Sequence, residues 1–322
     1  MEELERKACA RNARIVYPEP QDARIVAAAE IVARKGVARP ILVGLARDLP
    51  QDPPEGVELE AVDGSPRLEE LAATYGRARK VNERLARRLL SKPLAYGCMM
   101  VRCGLADGIV AGIAHPTAAV LQSAGLTIGH EEGSRTASSC FIMVLRRLRN
   151  ETQVPVVFAD CAVVVEPSAE QLADIALASA GSARMFLGLT PRVAMLSFST
   201  AGSASHARVE KVRQATRLAA ARITDGYVEG EMQFDAAVDP EVAAKKGVEG
   251  GQVAGRANVF VFPDLDSGNC CYKAVRCLAG AQAIGPILQG FARPVSDLSR
   301  SASVEDVVGT TVITVLQGAE SS

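Results

Sequence analysis

The last quarter of the chain, residues 256–308, most constrains the fold because it holds five distinct patterns in a fixed order. A short apolar run, Ala257–Phe262, stops at a proline and is typical of a buried strand. We predict a polar turn over Asp264–Asn269 and a helix over Tyr272–Ala283, where apolar residues recur at helical spacing. A second apolar strand, Ile284–Leu288, leads into a polar loop. Open α/β sheets use this order to build a site beyond their strand ends.

The N-terminal stretch shows the same alternation of strand and helix. Arg14–Pro18 indicates a strand, and Asp22 is suited to cap a helix that ends at Lys35 before Gly36. Pro40–Gly44 indicates a second strand. A strand, helix and strand in succession predict a parallel sheet with a right-handed crossover, and therefore an α/β fold.

Three segments in the middle of the chain bear on its organisation. Leu68–Leu90 is predicted to be one strongly basic helix, and Ala95–Val101 a strand or a short helix. The charged, hairpin-like loop Arg146–Thr152 is the predicted domain boundary. The turn Ser199–Ser203 presents hydroxyl and backbone N–H groups at a helix start, which is typical of an anion cradle.

Composition argues against several classes of function. The chain has 322 residues, 48% of them apolar, and a formal net charge of −1, which disfavours binding to nucleic acid or anionic membranes by charge. No apolar run reaches the roughly 18 residues that a membrane span needs, and the charged N-terminus lacks the apolar core of a signal peptide. The eight cysteines form no CxxC pair and show no metal-ligand spacing with the three histidines. We expect a soluble cytoplasmic protein with free thiols.

Several short motifs occur in order near the C-terminus. They are Ala257-Asn258-Val259, Phe262-Pro263-Asp264-Leu265, Gly268-Asn269 with Tyr272-Lys273, Ala279-Gly280-Ala281 through Gln289-Gly290, and Pro294 through Asp306. Together they closely resemble the phosphate acyltransferase family, above all the phosphate acetyltransferases. The resemblance continues upstream and covers most of the chain.

This resemblance implies that an acyl group is exchanged between coenzyme A (CoA) and inorganic phosphate, by direct attack of the CoA thiolate on acyl phosphate in a ternary complex. CoA is then a substrate, and no metal or bound cofactor takes part. We expect acetyl as the acyl group, with propionyl or butyryl as alternatives. The thiol, with a reference pKa of about 8.5, must ionise, the carbonyl oxygen needs hydrogen-bond donors, and the phosphate needs cationic partners.

The resemblance also implies the architecture of isocitrate and isopropylmalate dehydrogenases. That architecture has two α/β domains with parallel or mixed sheets, flanking helices and an interdomain cleft. The expected domains are residues 1–149 with 290–322, and residues 150–289. A homodimer is implied by the resemblance alone.

In this family a Ser-Arg pair and a later aspartate carry much of the chemistry, and they correspond to Ser299, Arg300 and Asp306. Asp306 would be the general base for the thiol, Arg300 would bind the acyl carbonyl or phosphate, and Ser299 would hydrogen-bond the reacting centre. A structural alternative exists for Asp306, because Ser303 through Asp306 also resembles a helix capping box. Ser299 could equally be a turn hydroxyl, and Arg300 half of a surface ion pair.

Two positions depart from the family pattern. Gly76 stands where a substrate arginine is expected, with Arg77 nearby, and Gln122 stands at a second such position. A lost charged hydrogen bond is worth on the order of 1.5–3 kcal/mol, so the expected change is in substrate affinity, in acyl preference or in activity itself. The predicted substrate-binding residues are Arg77, Thr117, Gln122, Ser199, Thr200, Gly202, Ser203, Asn258, Asp264, Asn269, Tyr272 and Lys273.

Two other functions stay open from the sequence. The missing arginines favour a non-catalytic sensor of acyl-CoA or acyl phosphate, like the related domain fused to some malic enzymes, whereas the intact Ser299, Arg300 and Asp306 argue for an enzyme. A metal-dependent decarboxylating dehydrogenase of the same architecture would need clustered aspartates and a nucleotide-binding loop, and neither is evident in the sequence.

Overall fold

The structure is a computed structural model that describes residues 2–318. The chain forms two compact units, one made of the residues up to Glu132 and those from Phe291 onward, the other spanning Gly133–Gly290. The charged segment Arg146–Thr152, the expected boundary, lies within the second unit, where it forms the tip of a β-hairpin. Arg149 and Asn150 have φ angles of 50° and 67° there, as a tight hairpin turn requires. Hairpin tips and domain linkers are both exposed and polar, so their sequences look alike.

Strands and helices alternate along most of the chain. The strands are β1 (Arg14–Tyr17), β2 (Arg39–Gly44), β3 (Glu58–Ala61), β4 (Gly108–Ala111), β5 (Ser138–Leu148), β6 (Glu151–Ala159), β7 (Arg192–Leu196), β8 (Tyr227–Met232), β9 (Val259–Val261), β10 (Gln282–Gln289) and β11 (Val295–Asp297). The helices are α1 (Glu2–Cys9), α2 (Ala23–Arg34), α3 (Pro66–Arg79), α4 (Glu83–Leu90), α5 (Pro93–Arg102), α6 (Thr117–Thr127), α7 (Ala169–Leu187), α8 (Ala207–Ala220), α9 (Phe234–Val238), α10 (Pro240–Lys245), α11 (Leu265–Ala279) and α12 (Val304–Gln317).

The first unit is built on a sheet with the strand order β11-β4-β1-β2-β3. Each neighbouring pair in this sheet is parallel, so all five strands end at the same edge. The C-terminal helix α12 packs against α2 and β4, while α5 packs against β1, β2 and β4. The chain therefore returns at its C-terminus to complete the sheet that its N-terminus began.

The second unit has a six-stranded mixed sheet with the order β10-β5-β6-β9-β7-β8. Its first two pairings are antiparallel and the other three are parallel. Phe158, Phe260 and Phe262 lie in its core, with ring centroids of Phe158 5.4 Å from Phe260 and 5.3 Å from Phe262. The predicted combination of parallel and mixed sheets in an α/β fold is confirmed.

Local signals placed several elements correctly. Asp22 caps α2, the segment after Ser303 is helix α12, and Ala95–Val101 lies in helix α5. The predicted single helix Leu68–Leu90 is instead two helices. Lys80 adopts a left-handed conformation that ends α3, and the side chain of Asn82 caps α4.

The predicted turn over Asp264–Asn269 is wrong, because α11 already begins at Leu265 with Asp264 as its cap. Gly268, which suggested a turn, lies in the first turns of the helix. A side chain at this position would collide with the backbone carbonyl oxygen of Asp160, so the glycine serves close packing. Among residues 2–318, the structure contains no helix that is both long and apolar enough to span a bilayer.

Candidate active site

Three loops of the first unit meet beyond the ends of β1, β4 and β11, which are neighbours in its parallel sheet. The loop after β1 carries Glu19, the loop after β4 runs from Gly112 to the start of α6, and the loop after β11 carries Ser299. The last two are joined directly, since Leu298 N–H donates to the carbonyl oxygen of Ala111 at 2.7 Å. Such strand ends are where α/β sheets commonly place ligands.

Glu19 holds the loop after β4 in place. Its carboxylate is 0% exposed and accepts hydrogen bonds from four consecutive backbone N–H groups, those of residues 112–115, at 2.8–3.0 Å. The imidazole Nδ1 of His115 lies 2.7 Å from the same carboxylate. Burial alone would raise the pKa of Glu19, but the hydrogen bonds from His115 and the backbone outweigh it and lower the pKa. An ionised carboxylate is therefore the scaffold of this loop.

Asp297, the last residue of β11, is the second buried carboxyl group at this edge. Its Oδ2 accepts a hydrogen bond from Thr117 Oγ1 at 2.5 Å, which fixes the predicted substrate-binding threonine at the start of α6. Among the described residues no group hydrogen-bonds to its other oxygen, Oδ1. Gly112 has a φ of 113° and passes so close to Asp297 that a side chain there would collide. Burial, with a smaller contribution from the charge of Glu19, raises the pKa of Asp297 to about 6.

The predicted catalytic pair Ser299 and Arg300 lies on the exposed loop after β11. The hydroxyl groups of Ser299 and Ser301 are 2.9 Å apart. Arg24, oriented by Asp22, donates hydrogen bonds to the carbonyl oxygens of Arg300 (3.0 Å) and Ala302 (2.8 Å). In the described part of the chain, the guanidinium of Arg300 has no ion-pair partner, so it is available to an anion.

Asp306 forms the capping box that its sequence context suggested. The N–H of Ser303 donates to Asp306 Oδ2 at 2.9 Å, and the N–H of Asp306 donates to Ser303 Oγ at 3.1 Å. The side chain is exposed, and one carboxylate oxygen is not used by the cap. A capping role and a chemical role are compatible, because the cap fixes the position of the carboxylate.

The Ser199–Ser203 turn of the second unit has the predicted cradle geometry, but an internal carboxylate occupies it. Glu231 accepts from Ser199 Oγ at 2.8 Å and from Gly202 N–H at 2.9 Å, and it forms an ion pair with Arg213 at 2.8 Å. Burial would raise the pKa of Glu231, but the bonds from Arg213, Gly202 and Ser199 lower it to about 2. Thr200 N–H donates to the Ser203 hydroxyl at 3.0 Å, and Thr200 Oγ1 donates to Gln233.

The other predicted binding residues of the second unit make mainly structural contacts. The side-chain amide of Asn258 donates to the carbonyl oxygen of Thr190, and Asn269 donates to that of Cys161 at 2.9 Å. Tyr272 stacks on Phe141 with ring centroids 4.2 Å apart. Asp264 caps α11, and Lys273 is exposed beside the Tyr272 ring.

Comparison with known proteins decides the family. The model of the family described as "Phosphate acetyl/butaryl transferase" matches residues 1–315. The chain belongs to this family. The phosphate acetyltransferase of Acetivibrio thermocellus is 44% identical over 313 residues, covering 94% of this chain and 93% of that protein. The phosphate acetyltransferase of Thermoanaerobacterium thermosaccharolyticum is 43% identical over 319 residues, covering 97% of both.

A solved structure of a phosphotransacetylase from Streptococcus pyogenes has the same fold. It superposes with a TM-score of 0.88 at 38% identity, covering 99% of this chain and 98% of that one. The predictions of a phosphate acyltransferase family member, of an α/β fold and of a transferase enzyme are confirmed. The curated relatives favour the enzyme over the sensor.

The two positions at which the family resemblance led us to expect a substrate arginine, Gly76 and Gln122, lie on helices α3 and α6. Gly76 is buried near the end of α3, where a Cβ would lie 3.1 Å from the carbonyl oxygen of Val81. Arg77, on the next position, is exposed, as is Gln122 on α6. Arg79 donates a hydrogen bond to the carbonyl oxygen of Gly125 on α6 at 3.2 Å, so a neighbouring arginine already connects these two helices.

Sequence reasoning missed three members of the site, namely Glu19, His115 and Asp297. Glu19 and His115 lie on the loops that follow β1 and β4, and Asp297 is the last residue of β11. Their position at the ends of parallel strands is the signal that could have found them. In the described part of the chain, no group of three or more His, Cys, Asp or Glu side chains is placed to hold a metal ion.

Proposed function

We propose that this protein exchanges an acetyl group between CoA and inorganic phosphate by direct attack of the CoA thiolate on acetyl phosphate in a ternary complex. The observation that carries the proposal is the family match over nearly the whole chain, joined to an exposed Ser-Arg loop at the end of a parallel sheet. CoA is a substrate, and no resident cofactor or metal is required for acyl transfer between a thiol and an acyl phosphate.

Arg300 is the proposed anion-binding group. Its guanidinium is exposed and carries a fork of donors that suits two oxygens of a phosphate or carbonyl group. Arg24 holds the carbonyl oxygens of Arg300 and Ala302, so the side chain of Arg300 starts from a defined position. Ser299, whose hydroxyl is shared only with its own loop, would donate to the reacting carbonyl.

Asp306 is the proposed acceptor of the thiol proton. A thiolate is the nucleophilic form of CoA, and a fixed carboxylate with one unused oxygen can take the proton as sulfur attacks. The substrate-binding roles predicted for Lys273 and Ser203, both of them exposed on the second unit, stay predictions.

Two finer points belong to this proposal. The eight free thiols fit a reducing cytoplasm. A homodimer, which the family resemblance implies, is also proposed, with helix α11 as its contact, since Gly268 is the one buried residue on this helix and Leu278 is 88% exposed. Sedimentation of the full chain would separate monomer from dimer.

The test is phosphate-dependent release of CoA from acetyl-, propionyl- and butyryl-CoA. Arg300→Ala and Asp306→Asn should each lower kcat/KM at least tenfold, on the order of the losses that charged contacts and proton transfer produce. Arg84→Ala and Glu305→Gln are matched controls, since both side chains are exposed and the second adjoins Asp306. Binding of acyl-CoA without turnover of any of the three would overturn the proposal and leave a sensor.

A further inference from the structure

His115 forms a carboxylate–imidazole pair with Glu19 that the proposed roles of Ser299, Arg300 and Asp306 do not use. The carboxylate is fully buried, whereas the imidazole is 34% exposed. Among the residues that the structure describes, none hydrogen-bonds to the second ring nitrogen, Nε2. One nitrogen is thus fixed from the inside of the protein and the other faces the solvent side of the loop.

Glu19 determines which nitrogen of the neutral ring carries the proton. An ionised carboxylate only accepts hydrogen bonds, so Nδ1 must be the donor toward Glu19. In the neutral ring, Nε2 then holds a lone pair, and in the imidazolium it holds a proton that it can donate. In catalytic triads a buried carboxylate likewise orients the imidazole through Nδ1 and leaves Nε2 to the reacting group.

The surroundings suit an anion beside this nitrogen. His115 lies two residues before the first residue of α6, an eleven-residue helix whose first turn has no acidic side chain. The free N–H groups and dipole of a helix N-terminus favour phosphate. The charged groups around the pair are Asp297 on β11 and Arg24 on α2, both of which interact electrostatically with Glu19.

The proposed reaction needs a proton donor for phosphate. When sulfur attacks the carbonyl carbon of acetyl phosphate, the bond between that carbon and the bridging oxygen breaks, and the oxygen leaves with the electron pair. Without a proton it would leave as the phosphate trianion, a much stronger base than a thiolate. With a proton it leaves as hydrogen phosphate.

We infer that His115 is the catalytic acid that protonates the departing phosphate oxygen through Nε2, and that it removes this proton again when phosphate attacks acetyl-CoA. This inference rests on the proposed function and adds a residue to it. The proton balance closes, because Asp306 takes one proton from the CoA thiol and His115 gives one to the phosphate. Each group returns to its starting state when the two exchange a proton through solvent.

The experiment compares two acyl donors that differ in their need for a proton. Acetyl phosphate requires protonation of the leaving oxygen, whereas acetyl methyl phosphate releases methyl phosphate, whose second pKa of about 6 lets it leave unprotonated. His115→Asn preserves a donor to Glu19 and removes Nε2. It should lower kcat with acetyl phosphate and CoA by about 100-fold or more, and kcat with acetyl methyl phosphate by less than about threefold.

Asp306→Asn is the matched variant. It should lower kcat by the same factor with both donors, because the attacking thiol is the same in each. Measuring both donors on one preparation also cancels any loss of folded protein. An equal loss on both donors, or no loss on either, would overturn the role of His115. Absence of turnover in the wild-type protein would instead overturn the proposed function itself.

Discussion

Two loops of this protein are built in the same way and differ in one partner. In the first unit the buried carboxylate of Glu19 binds the backbone N–H groups of residues 112–115, and in the second Glu231 binds the turn at Ser199–Gly202. Both carboxylates are ionised in spite of burial, because hydrogen bonds to them outweigh the loss of water. The side chain paired with Glu19 is that of His115, and the side chain paired with Glu231 is that of Arg213.

This difference separates a scaffold from a site of proton chemistry. Arginine keeps its proton at any ordinary pH, so the Glu231 pair is permanent and the hydroxyl of Ser199 is consumed by it. Histidine gains and loses its proton near neutral pH, and one of its nitrogens stays available. At the edge that carries Ser299, the Oδ1 atom of Asp297 is a buried polar atom to which no described residue hydrogen-bonds.

The largest effect is expected from removing the carboxylate of the first loop. Glu19→Ala leaves four backbone donors without their acceptor, and it should lower the free energy of unfolding of this unit by about 3–5 kcal/mol. Urea denaturation measures this, with Glu30→Ala on the exposed face of α2 as the control. A loss below about 1 kcal/mol would mean that Glu19 does not hold the loop.

An intermediate loss of unfolding free energy is expected when Glu231 of the second loop is replaced, and this loss should depend on pH. The pKa of Glu231 is lowered from 4.5 to about 2, so its contribution is present above pH 4.5 and disappears as the pH falls toward 2. Glu231→Gln should therefore cost about 2–3 kcal/mol of unfolding free energy at pH 7, and this difference should narrow below pH 4.5.

Acyl transfer by folded Glu231→Gln protein at pH 7 should stay within about twofold of wild type if the second loop is scaffold alone. A large loss of kcat in protein that is fully folded would mean that the second loop also contributes to acyl transfer, and the contrast between the two loops would be wrong. Thermal melts at the assay pH provide the control.

The smallest expected effect is an increase in the free energy of unfolding rather than a decrease. The pKa of Asp297 is raised from 3.8 to about 6, so its charge destabilises the folded state above pH 6, and the penalty vanishes below pH 4. Asp297→Asn should raise the unfolding free energy at pH 8 by about 1–2 kcal/mol, with no gain at pH 4. Paired urea titrations at the two pH values measure it, and a gain of the same size at both would exclude a charge effect.

Features that are local in sequence were predictable. Asp22 and Ser303 were recognisable as helix caps because a cap and its target are two or three residues apart. The loop that carries Ser299 and Arg300 was also predictable, because the motif that identifies it is a short continuous segment of the sequence. The geometry of the Ser199–Ser203 turn was also predictable, but its occupant was not, because Glu231 lies on another strand.

Non-local features were not predictable from the same signals. Glu19 and Gly112 are 93 positions apart in sequence, and only the order of strands in the sheet brings them together. The turn predicted over Asp264–Asn269 was wrong because Gly268 allows close packing of the helix. In sequence, a glycine that allows close packing cannot be distinguished from one that a turn requires. Packing between elements decided both cases.

The discontinuous first unit has a consequence for how the protein is made. Residues 133–290 leave the ribosome with all the strands of their own sheet, so this unit can fold while synthesis continues. The first unit must wait for β11 and α12, which follow the whole second unit along the chain. Its loop with Ser299 and Arg300 can therefore take its place in the fold only after the second unit has been translated.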